Sequence, residues 1–367
     1  MAKSRIIWAM VAIMPLIAHA STVTTLSNGF SLPEDIILIP AGFDSVGGNY
    51  FVTDASRNFA GSGAVYTLPV GGGAPTVFTS SNYFQPIGGV FLPSNYGSLA
   101  GDLLMTGRDI NTALGDAIAM GPSGALTILA PAIGTNILAD VKIAPAGFDT
   151  AGGDAVTANE EGNIYAVPPS GNQFVLPGGT LGIQPYGLSF APGGFGAVGG
   201  DLLISSSTTG QVYALSSSGQ LTQFTNIPLG PGQAGLRQMA FAPAGFGSYG
   251  GDLFVSVSGS NAGGGIAGSV DVVNGSGQVV AYLSEGTVGA PYDPRGIYFP
   301  NNQNVLIADA DPSILSAQPS AFTSGSPVPE PGTAWFFLLG VSALWLVRHH
   351  VGRKCHCKGS RAACSAN

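Results

Sequence analysis

A phrase that combines a proline, a glycine-rich turn and a short apolar run recurs along this chain. Five copies are complete and the sixth is shortened; they read IPAGFDSVGGNYFVT, LPSNYGSLAGDLLMT, APAGFDTAGGDAVTA, APGGFGAVGGDLLIS, APAGFGSYGGDLFVS and FPNNQNVLIADA. The prolines at positions 40, 93, 145, 192, 243 and 300 are separated by 53, 52, 47, 51 and 57 residues. A period of this length indicates an architecture built from repeated supersecondary units.

Each unit contains four short apolar segments separated by turn residues. In the fourth copy these segments span residues 187–191, 201–205, 211–215 and 221–224. Four short strands per repeat are typical of a β-propeller blade, whereas the coils of a parallel β-solenoid, the alternative, are much shorter. We therefore predict an all-β fold, a six-bladed β-propeller with four-stranded blades over residues 21–323.

The ends of the repeat region predict how the ring closes. The last copy is short, with room for three strands between Arg295 and Phe322. Residues 22–26 form a β-prone segment that is not assigned to any repeat. We predict that this segment is the outer strand of blade 6. Such pairing would join the two ends of the ring and remove an exposed sheet edge.

The distribution of histidine and cysteine restricts the chemistry of the repeat region. The four histidines lie at positions 19, 349, 350 and 356, and the three cysteines at positions 355, 357 and 364. Residues 21–331 contain neither type, which excludes Ser-His-Asp triads, cysteine nucleophiles, disulfides and the usual zinc sites from that region. Carboxylates remain as its main titratable groups.

The charge of the same region argues against polyanionic partners. Residues 21–331 carry all twenty Asp and Glu of the chain but only five of its twelve Lys and Arg, which gives a formal charge of −15. A surface of this sign repels nucleic acid and anionic membranes. We predict no nucleic-acid partner.

Both ends of the chain have the composition of membrane-targeting segments. Residues 1–20 join two basic residues to an apolar run and end in Ala-His-Ala, which predicts a signal peptide. After a Pro/Ser linker at 324–332, residues 333–347 carry no charge, and basic residues follow, including Arg348, Arg353 and Lys354. The apolar run predicts a transmembrane helix at 333–347, and the positive-inside rule predicts a basic cytoplasmic tail at 348–367.

The order of motifs in this tail has a known counterpart. Val328-Pro329-Glu330-Pro331, an apolar segment and a basic cluster follow one another, and this order resembles the PEP-CTERM sorting signal of Gram-negative bacteria that make exopolysaccharide. The resemblance implies processing by an exosortase-type membrane protease in addition to signal peptidase. It implies a body in the periplasm, transiently anchored in the inner membrane, and then released to the cell surface or extracellular matrix, with exopolysaccharide or a surface protein as partner.

The strand before each marker proline is predicted to be the innermost of its blade, so residues at its start should line one mouth of the central channel. These channel candidates are Glu34, Asp35, Asp140, Arg237, Gln238, Asp293 and Arg295. The favoured interpretation is charge pairing between the aspartates and the arginines, which would satisfy a polar funnel. The alternative is a ligand site.

Two functions follow from these observations. The favoured one is a non-enzymatic surface or matrix protein that has a binding or structural role, with no catalytic residues, no metal site and no cofactor. The alternative is a metal-dependent hydrolase or lyase acting outside the cytoplasm and resembling the gluconolactonase and streptogramin-lyase propellers. That resemblance implies a divalent metal or a catalytic histidine in the channel; here the metal ligands would be Glu34, Asp35, Asp140 and Asp293.

Overall fold

The computed structural model describes residues 23–56, 63–259, 267–284 and 287–325. These residues form six antiparallel sheets of four or five strands, each a blade of a β-propeller. The predicted fold class is confirmed for this part of the chain. The predicted signal peptide, sorting motif, apolar segment and basic tail lie outside the described residues, within which no helix is long and apolar enough to cross a membrane.

The strands are numbered in chain order, and each blade runs from its inner to its outer strand. Blades 1 to 3 comprise β2 (Pro33–Leu38), β3 (Tyr50–Asp54), β4 (Ala64–Leu68) and β5 (Thr76–Ser80); β6 (Phe84–Phe91), β7 (Leu103–Asp109), β8 (Gly115–Met120) and β9 (Leu126–Ala130); and β10 (Leu138–Ile143), β11 (Ala155–Asn159), β12 (Asn163–Val167) and β13 (Phe174–Thr180). Blades 4 to 6 comprise β14 (Pro185–Phe190), β15 (Leu202–Ser206), β16 (Gln211–Leu215) and β17 (Leu221–Asn226); β18 (Gly235–Phe241), β19 (Leu253–Ser258), β20 (Ser269–Val273), β21 (Val279–Ser284) and β25 (Thr323–Ser324); and β22 (Pro294–Tyr298), β23 (Val305–Asp309), β24 (Ser313–Ala317) and β1 (Val23–Asn28).

The ring closes as the sequence predicts. Strand β1 pairs antiparallel with β24 and becomes the outer strand of blade 6, with Val23 opposite Ala317 and Asn28 opposite Ser313. Each inner strand contacts the inner strand of the next blade, and β22 of blade 6 contacts β2 of blade 1. The first strand of the propeller therefore holds the last blade.

The recurring phrase forms the same turn in five blades, which explains its repetition. The carbonyl of the marker proline accepts the amide of the residue three positions later, for example from Phe195 to Pro192 at 2.8 Å. In four of these turns that residue is a phenylalanine whose ring meets a phenylalanine at, or one residue beyond, the end of the next inner strand. The ring pairs are Phe43–Phe91, Phe148–Phe190, Phe195–Phe241 and Phe246–Phe299, with centroids 4.7 to 5.3 Å apart.

Glycines on the inner strands of the even-numbered blades allow close packing against the next blade. A Cβ atom on Gly88, Gly187 or Gly296 would lie 2.8, 2.7 or 2.9 Å from the Cα atom of Asp140, Gln238 or Asp35, respectively. Real Cβ atoms are not found this close to backbone. The three glycines therefore determine how near blades 2, 4 and 6 stand to blades 3, 5 and 1.

We expect Gly187→Ala to destabilise the propeller by on the order of 2–3 kcal/mol, because the added methyl group must push blade 5 away from blade 4. Urea unfolding followed by circular dichroism measures the change. Gly182→Ala is the matched control: a Cβ atom there would meet nothing within 4 Å, so its effect should stay within about 0.5 kcal/mol. Equal effects for the two variants would contradict the packing role of Gly187.

One buried carboxyl away from the channel makes stability depend on pH. Asp271 on β20 is 1% exposed; its Oδ1 atom accepts the Ser269 hydroxyl at 2.7 Å, and its Oδ2 atom has no hydrogen-bond partner among the described residues. Burial raises the pKa of Asp271 to about 7, with the Ser269 hydrogen bond opposing the shift. The folded protein therefore holds this proton more tightly than the unfolded chain does.

A raised folded-state pKa means that the contribution of Asp271 to the free energy of unfolding is greatest below its unfolded pKa and is lost as pH rises through about 7. Asp271→Asn mimics the neutral acid at every pH. We therefore expect the free energy of unfolding of the variant, relative to that of the parent protein, to increase by on the order of 3 kcal/mol from pH 4 to pH 8. Unfolding free energies at both pH values test this, with the exposed Asp44→Asn as control. A difference that does not change with pH would contradict it.

Candidate functional site

Each of the six inner strands carries a β-bulge near its start, where two consecutive residues lie opposite one residue of the second strand. The first residue of each bulge belongs to what we call the first ring, and the second residue to the second ring. The first ring is Glu34, Ile87, Ala139, Tyr186, Arg237 and Arg295. The second ring is Asp35, Gly88, Asp140, Gly187, Gln238 and Gly296.

The bulges divide the predicted funnel into two levels. Counting back five residues from the marker proline aligns Arg295 with Asp35, but the strand register aligns Gly296 with Asp35 and Arg295 with Glu34. Blade 6 is one residue shorter than the others between the bulge and the proline. Glu34, Arg237 and Arg295 therefore lie on the first ring, while the remaining channel candidates except Asp293 lie on the second.

Glu34, on the first ring, is 2% exposed, and its carboxyl group contacts two other members of that ring. Its Oε2 atom accepts the Tyr186 hydroxyl at 3.0 Å, and its Oε1 atom lies 3.7 Å from the Arg295 guanidinium. Burial raises the pKa of Glu34, although Arg295, Arg237 and the Tyr186 hydrogen bond oppose this shift. A buried carboxyl group with a raised pKa holds its proton to a higher pH than an exposed one does, which suits it to proton transfer.

Arg295 lies between two carboxylates. Its Nη2 atom donates to Asp293 Oδ2 at 2.8 Å, and its other terminal nitrogen faces Glu34. Burial opposes the charge of Arg295, but Glu34 and Asp293 outweigh this effect and raise its pKa. Asp293 is fixed in turn by the Ser258 hydroxyl, at 2.7 Å from its Oδ1 atom. The ion pair between Arg295 and Asp293 agrees with the predicted charge pairing.

Arg237 does not follow that prediction. Its guanidinium carbon lies 4.6 Å from the centre of the Tyr186 ring, a cation–π contact. Among the described residues it forms no ion pair within 4 Å, and its Nε atom has no hydrogen-bond partner. Glu160, half-buried, faces the same group of charges, and burial raises its pKa against the opposing effect of Arg237. Arg237 is thus a cation with capacity to bind an anionic ligand.

The other half of the first ring is apolar. Ile87, Ala139 and the Tyr186 ring pack together with Leu32 and Ala310 in one buried cluster. The charged members come from blades 5, 6 and 1, and the apolar members come from blades 2, 3 and 4. The first ring therefore has a charged side and an apolar side.

On the second ring, the side chains of Asp35 and Asp140 hold neighbouring blades together. Asp35 accepts the amides of Ile36 and, in blade 2, Gly89, at 2.8 and 3.1 Å. Asp140 accepts the amides of Val141 and, in blade 4, Leu188, at 2.7 and 2.9 Å. Charge pairing with the arginines is not seen here.

The charge partner on this level is a lysine. The Nζ atom of Lys142 lies 2.6 Å from Asp140 Oδ1. Burial raises the pKa of Asp35 to about 7; Lys142 opposes the shift and Asp140 adds to it. Burial lowers the pKa of Lys142, but Asp140 and Asp35 together raise it above its usual value.

The proposed metal ligands are not brought together. Glu34 and Asp293 share Arg295 at the first ring, while Asp35 and Asp140 are engaged with main-chain amides at the second. Within the described ranges, no group of three or more His, Cys, Asp or Glu side chains is placed to hold a metal ion. The Arg295 guanidinium beside Glu34 and Asp293 also opposes cation binding. The donor set does not fit a divalent metal.

Sequence reasoning missed Lys142 and gave no role to the Tyr186 hydroxyl. Two signals could have revealed them. Lys142 is the only lysine in residues 21–331. Tyr186 directly follows a proline at the start of its strand, as Glu34 and Arg295 do. Prolines 33, 86, 185 and 294 each directly precede a first-ring residue, so they predict its position better than the marker prolines after the inner strands do.

Comparisons with known proteins find structural likeness only. No family model matches the chain, and no curated protein matches it. Among solved structures, it resembles a gluconolactonase from Xanthomonas campestris, with 14% identity, a TM-score of 0.55, and coverage of 83% of this chain and 90% of that one. A calcium-binding protein, regucalcin, from Agrobacterium tumefaciens also gives 14% and 0.55, covering 81% and 93%. A virginiamycin B lyase from Staphylococcus aureus gives 14% and 0.47, covering 81% and 98%.

The likenesses to the gluconolactonase and to regucalcin, each with a TM-score above 0.5, show the fold. The gluconolactonase among them contradicts the prediction that the chain is a non-enzymatic surface or matrix protein. That prediction relied on the missing histidine and thiol groups. Catalysis by carboxyl, phenol and guanidinium groups needs neither, and the first ring contains all three.

Proposed function

We propose that this protein is a propeller hydrolase that opens a small ester or lactone at the first ring. The observation that carries the proposal is the buried Glu34 carboxyl, which has a raised pKa and lies between the Tyr186 hydroxyl and Arg295, with the unpaired Arg237 beside them. The likeness to a gluconolactonase supports the choice of a hydrolase over other enzyme classes.

The charged side of the ring would carry out the chemistry. Glu34, as the carboxylate, takes a proton from a water molecule while the water oxygen bonds to the carbonyl carbon. Arg237, whose guanidinium lies over the Tyr186 ring, would stabilise the negative charge that develops on the carbonyl oxygen. The carbon–oxygen bond of the ester then breaks, and Glu34 returns its proton to the departing oxygen, so the carboxylate is regenerated.

The neighbouring groups would hold Glu34 in place. The Tyr186 hydroxyl donates to one carboxyl oxygen and so orients the other. Burial raises the pKa of Tyr186 strongly, with Glu34 adding to the shift, so the phenol keeps its proton and remains a donor. The apolar members of the ring would contact the body of the substrate.

The test is a panel of lactones and simple carboxylic esters assayed by acid release with purified protein, with and without a chelator. We expect turnover that survives the chelator, because the first ring does not provide a metal site. Release of a product with a new carbon–carbon double bond instead of an acid would show a lyase. No turnover across the panel would contradict the proposed hydrolase.

We also propose that this activity is exported, and that the tail is a sorting signal of the PEP-CTERM type. Support comes from residues 1–20, Val328-Pro329-Glu330-Pro331, the apolar segment 333–347 and the basic residues that follow. The partners on this route would be signal peptidase and an exosortase-type protease. The body would then reach the cell surface or matrix, where exopolysaccharide or its fragments are candidate ligands.

Replacing Glu330-Pro331 with Ala-Ala should stop release and leave full-length protein in the inner membrane. The chain has three tryptophans, Trp8, Trp335 and Trp345, and all three lie in the segments that processing would remove. The released form of the parent protein should therefore lack tryptophan. Fractionation and intact mass spectrometry measure both outcomes. Unchanged release from the variant would mean that the tail is not read as a sorting signal, since the apolar segment and basic residues that anchor it are untouched.

A further inference from the structure

A second site lies on the other side of the second ring, between the last residues of the inner strands. This pocket, which we call the strand-end pocket, has a volume of about 430 Å³. Residues of all six inner strands line it, including Asp35, Lys142, Ser189 and Gln238. It shares no residue with the first ring, so it is separate from the proposed catalytic site.

The polar groups of the strand-end pocket leave hydrogen-bond donors unused. Gln238 is 2% exposed, and its Nε2 atom, which is shielded from solvent, has no partner among the described residues; a ligand in the pocket reaches it when the terminal amide turns toward the pocket. The Lys142 side chain is 29% exposed, and within the described residues its ammonium makes one hydrogen bond, to Asp140, so it has further protons to donate. A buried donor without a partner is costly, and a ligand that accepts from it would remove that cost.

The carboxylate acceptors of the pocket, by contrast, are already engaged. Both carboxyl oxygens of Asp35 accept main-chain amides, and the oxygens of Asp140 accept two amides and the Lys142 ammonium. A cationic ligand would therefore compete with bonds that join the blades. A ligand with acceptor oxygens would instead accept hydrogen bonds from the unused donors of Gln238 and Lys142.

The walls of the pocket are apolar and face its interior. Ile37, Phe91, Phe190, Phe241 and Tyr298 line it and are only half-buried by the protein. Phe91, Phe190 and Phe241 are the same rings that the repeated turns hold in edge-to-face pairs. The recurring phrase therefore positions the walls of a cavity as well as the blades.

From this arrangement we infer that the strand-end pocket binds a small organic monocarboxylate with an apolar body. The carboxylate accepts hydrogen bonds from Gln238 Nε2 and Lys142 Nζ, and the apolar body lies against the phenylalanine rings. The Lys142 ammonium supplies the positive charge that pairs with the carboxylate of the ligand. Its ion pair with Asp140 keeps that charge at the pocket wall.

The test uses octanoate as the probe, with octan-1-ol and octylammonium as matched ligands of the same chain length, in calorimetric titrations of the purified protein at pH 6. At this pH Asp35, with its pKa of about 7, is largely protonated and does not repel an anion. We expect octanoate to bind at least about 10-fold more tightly than octan-1-ol, as one charged hydrogen bond contributes about 1.5–3 kcal/mol. Octylammonium should bind more weakly than octanoate.

Gln238→Leu removes the donor at nearly constant volume and should weaken octanoate binding roughly 10-fold, while weakening octan-1-ol binding less, because a neutral hydroxyl accepts a weaker hydrogen bond than a carboxylate does. Gln223→Leu, on the exposed surface of β17, is the control. If Gln238→Leu fails to fold, Gln238→Met serves in its place. Glu34→Gln should not change octanoate binding, which separates this inference from the hydrolase proposal. Equal affinity for the alcohol, tighter binding of the amine, no binding of octanoate, or no effect at Gln238 would each overturn it.

Discussion

Replacing Glu34 with glutamine is expected to lower the turnover of an ester or lactone substrate by roughly 10²- to 10⁴-fold, the range found when a general base is removed. The amide keeps an oxygen that can accept the Tyr186 hydroxyl, so the side chain should stay in place. It cannot take a proton from water, however. The loss should therefore appear mainly in kcat, with KM little changed.

The pH profile provides the sharper readout for Glu34. A general base works only when it is deprotonated, so the activity of the parent protein should rise as pH increases through the raised pKa of Glu34. The residual activity of Glu34→Gln should lack that rise. A residue that only supported the fold would change the amount of folded protein but not the shape of the profile.

Two further variants help to separate roles around Glu34. Glu161→Gln changes an exposed carboxylate in the loop between β11 and β12 and should leave turnover within about twofold, since surface substitutions have small effects. Arg237→Met should weaken the binding of substrate in its transition state, because the cation that faces the developing charge is removed. Full activity in Glu34→Gln would contradict the catalytic assignment.

The second large effect is expected from removing the strand that closes the ring. Deleting residues 23–28 takes β1 away from β24 and exposes the edge of blade 6. The strand also packs Val23 and Leu26 against two of the buried apolar clusters. Loss of these side chains and of the hydrogen bonds between the strands should cost on the order of 5 kcal/mol.

Thermal unfolding of the deletion variant, compared with the parent protein, measures this cost. The exposed edge of β24 should also make the variant aggregate at concentrations where the parent stays monodisperse. The control removes β25, the two-residue strand Thr323–Ser324 on the outer edge of blade 5, which does not join the two ends of the ring. If both deletions cost the same, the closure strand has no special role in stability.

The closed ring also matters for the proposed site. Blades 6 and 1 meet where Gly296 approaches Asp35 and Glu34, and Arg295 of blade 6 faces Glu34 of blade 1. An opening of this interface would separate the acid from the cation that faces it. Catalytic loss in the β1 deletion should therefore accompany the loss of stability.

The repeat in the sequence was sufficient to predict the number of blades, the four main strands of each and the strand that closes the ring, but not the short fifth strand, β25, of blade 5. These features depend on local properties: apolar segments of strand length, turn residues between them, and a proline-containing turn with its phenylalanine. Each blade is one local unit, so its pattern is readable without knowledge of its neighbours.

The tertiary structure alone decided which charged residues meet. A bulge in every inner strand rotates two consecutive side chains onto different levels, and the shorter last blade moves Arg295 from the second ring to the first. The spacing of residues along one strand does not reveal a bulge, because the bulge depends on pairing with the second strand. Glu34 thus meets Tyr186 from the opposite side of the ring, 152 residues along the chain, and Asp140 meets Lys142 instead of an arginine. Contacts across a closed ring depend on register in all six blades at once, which is why the sequence by itself determined the propeller but not its site.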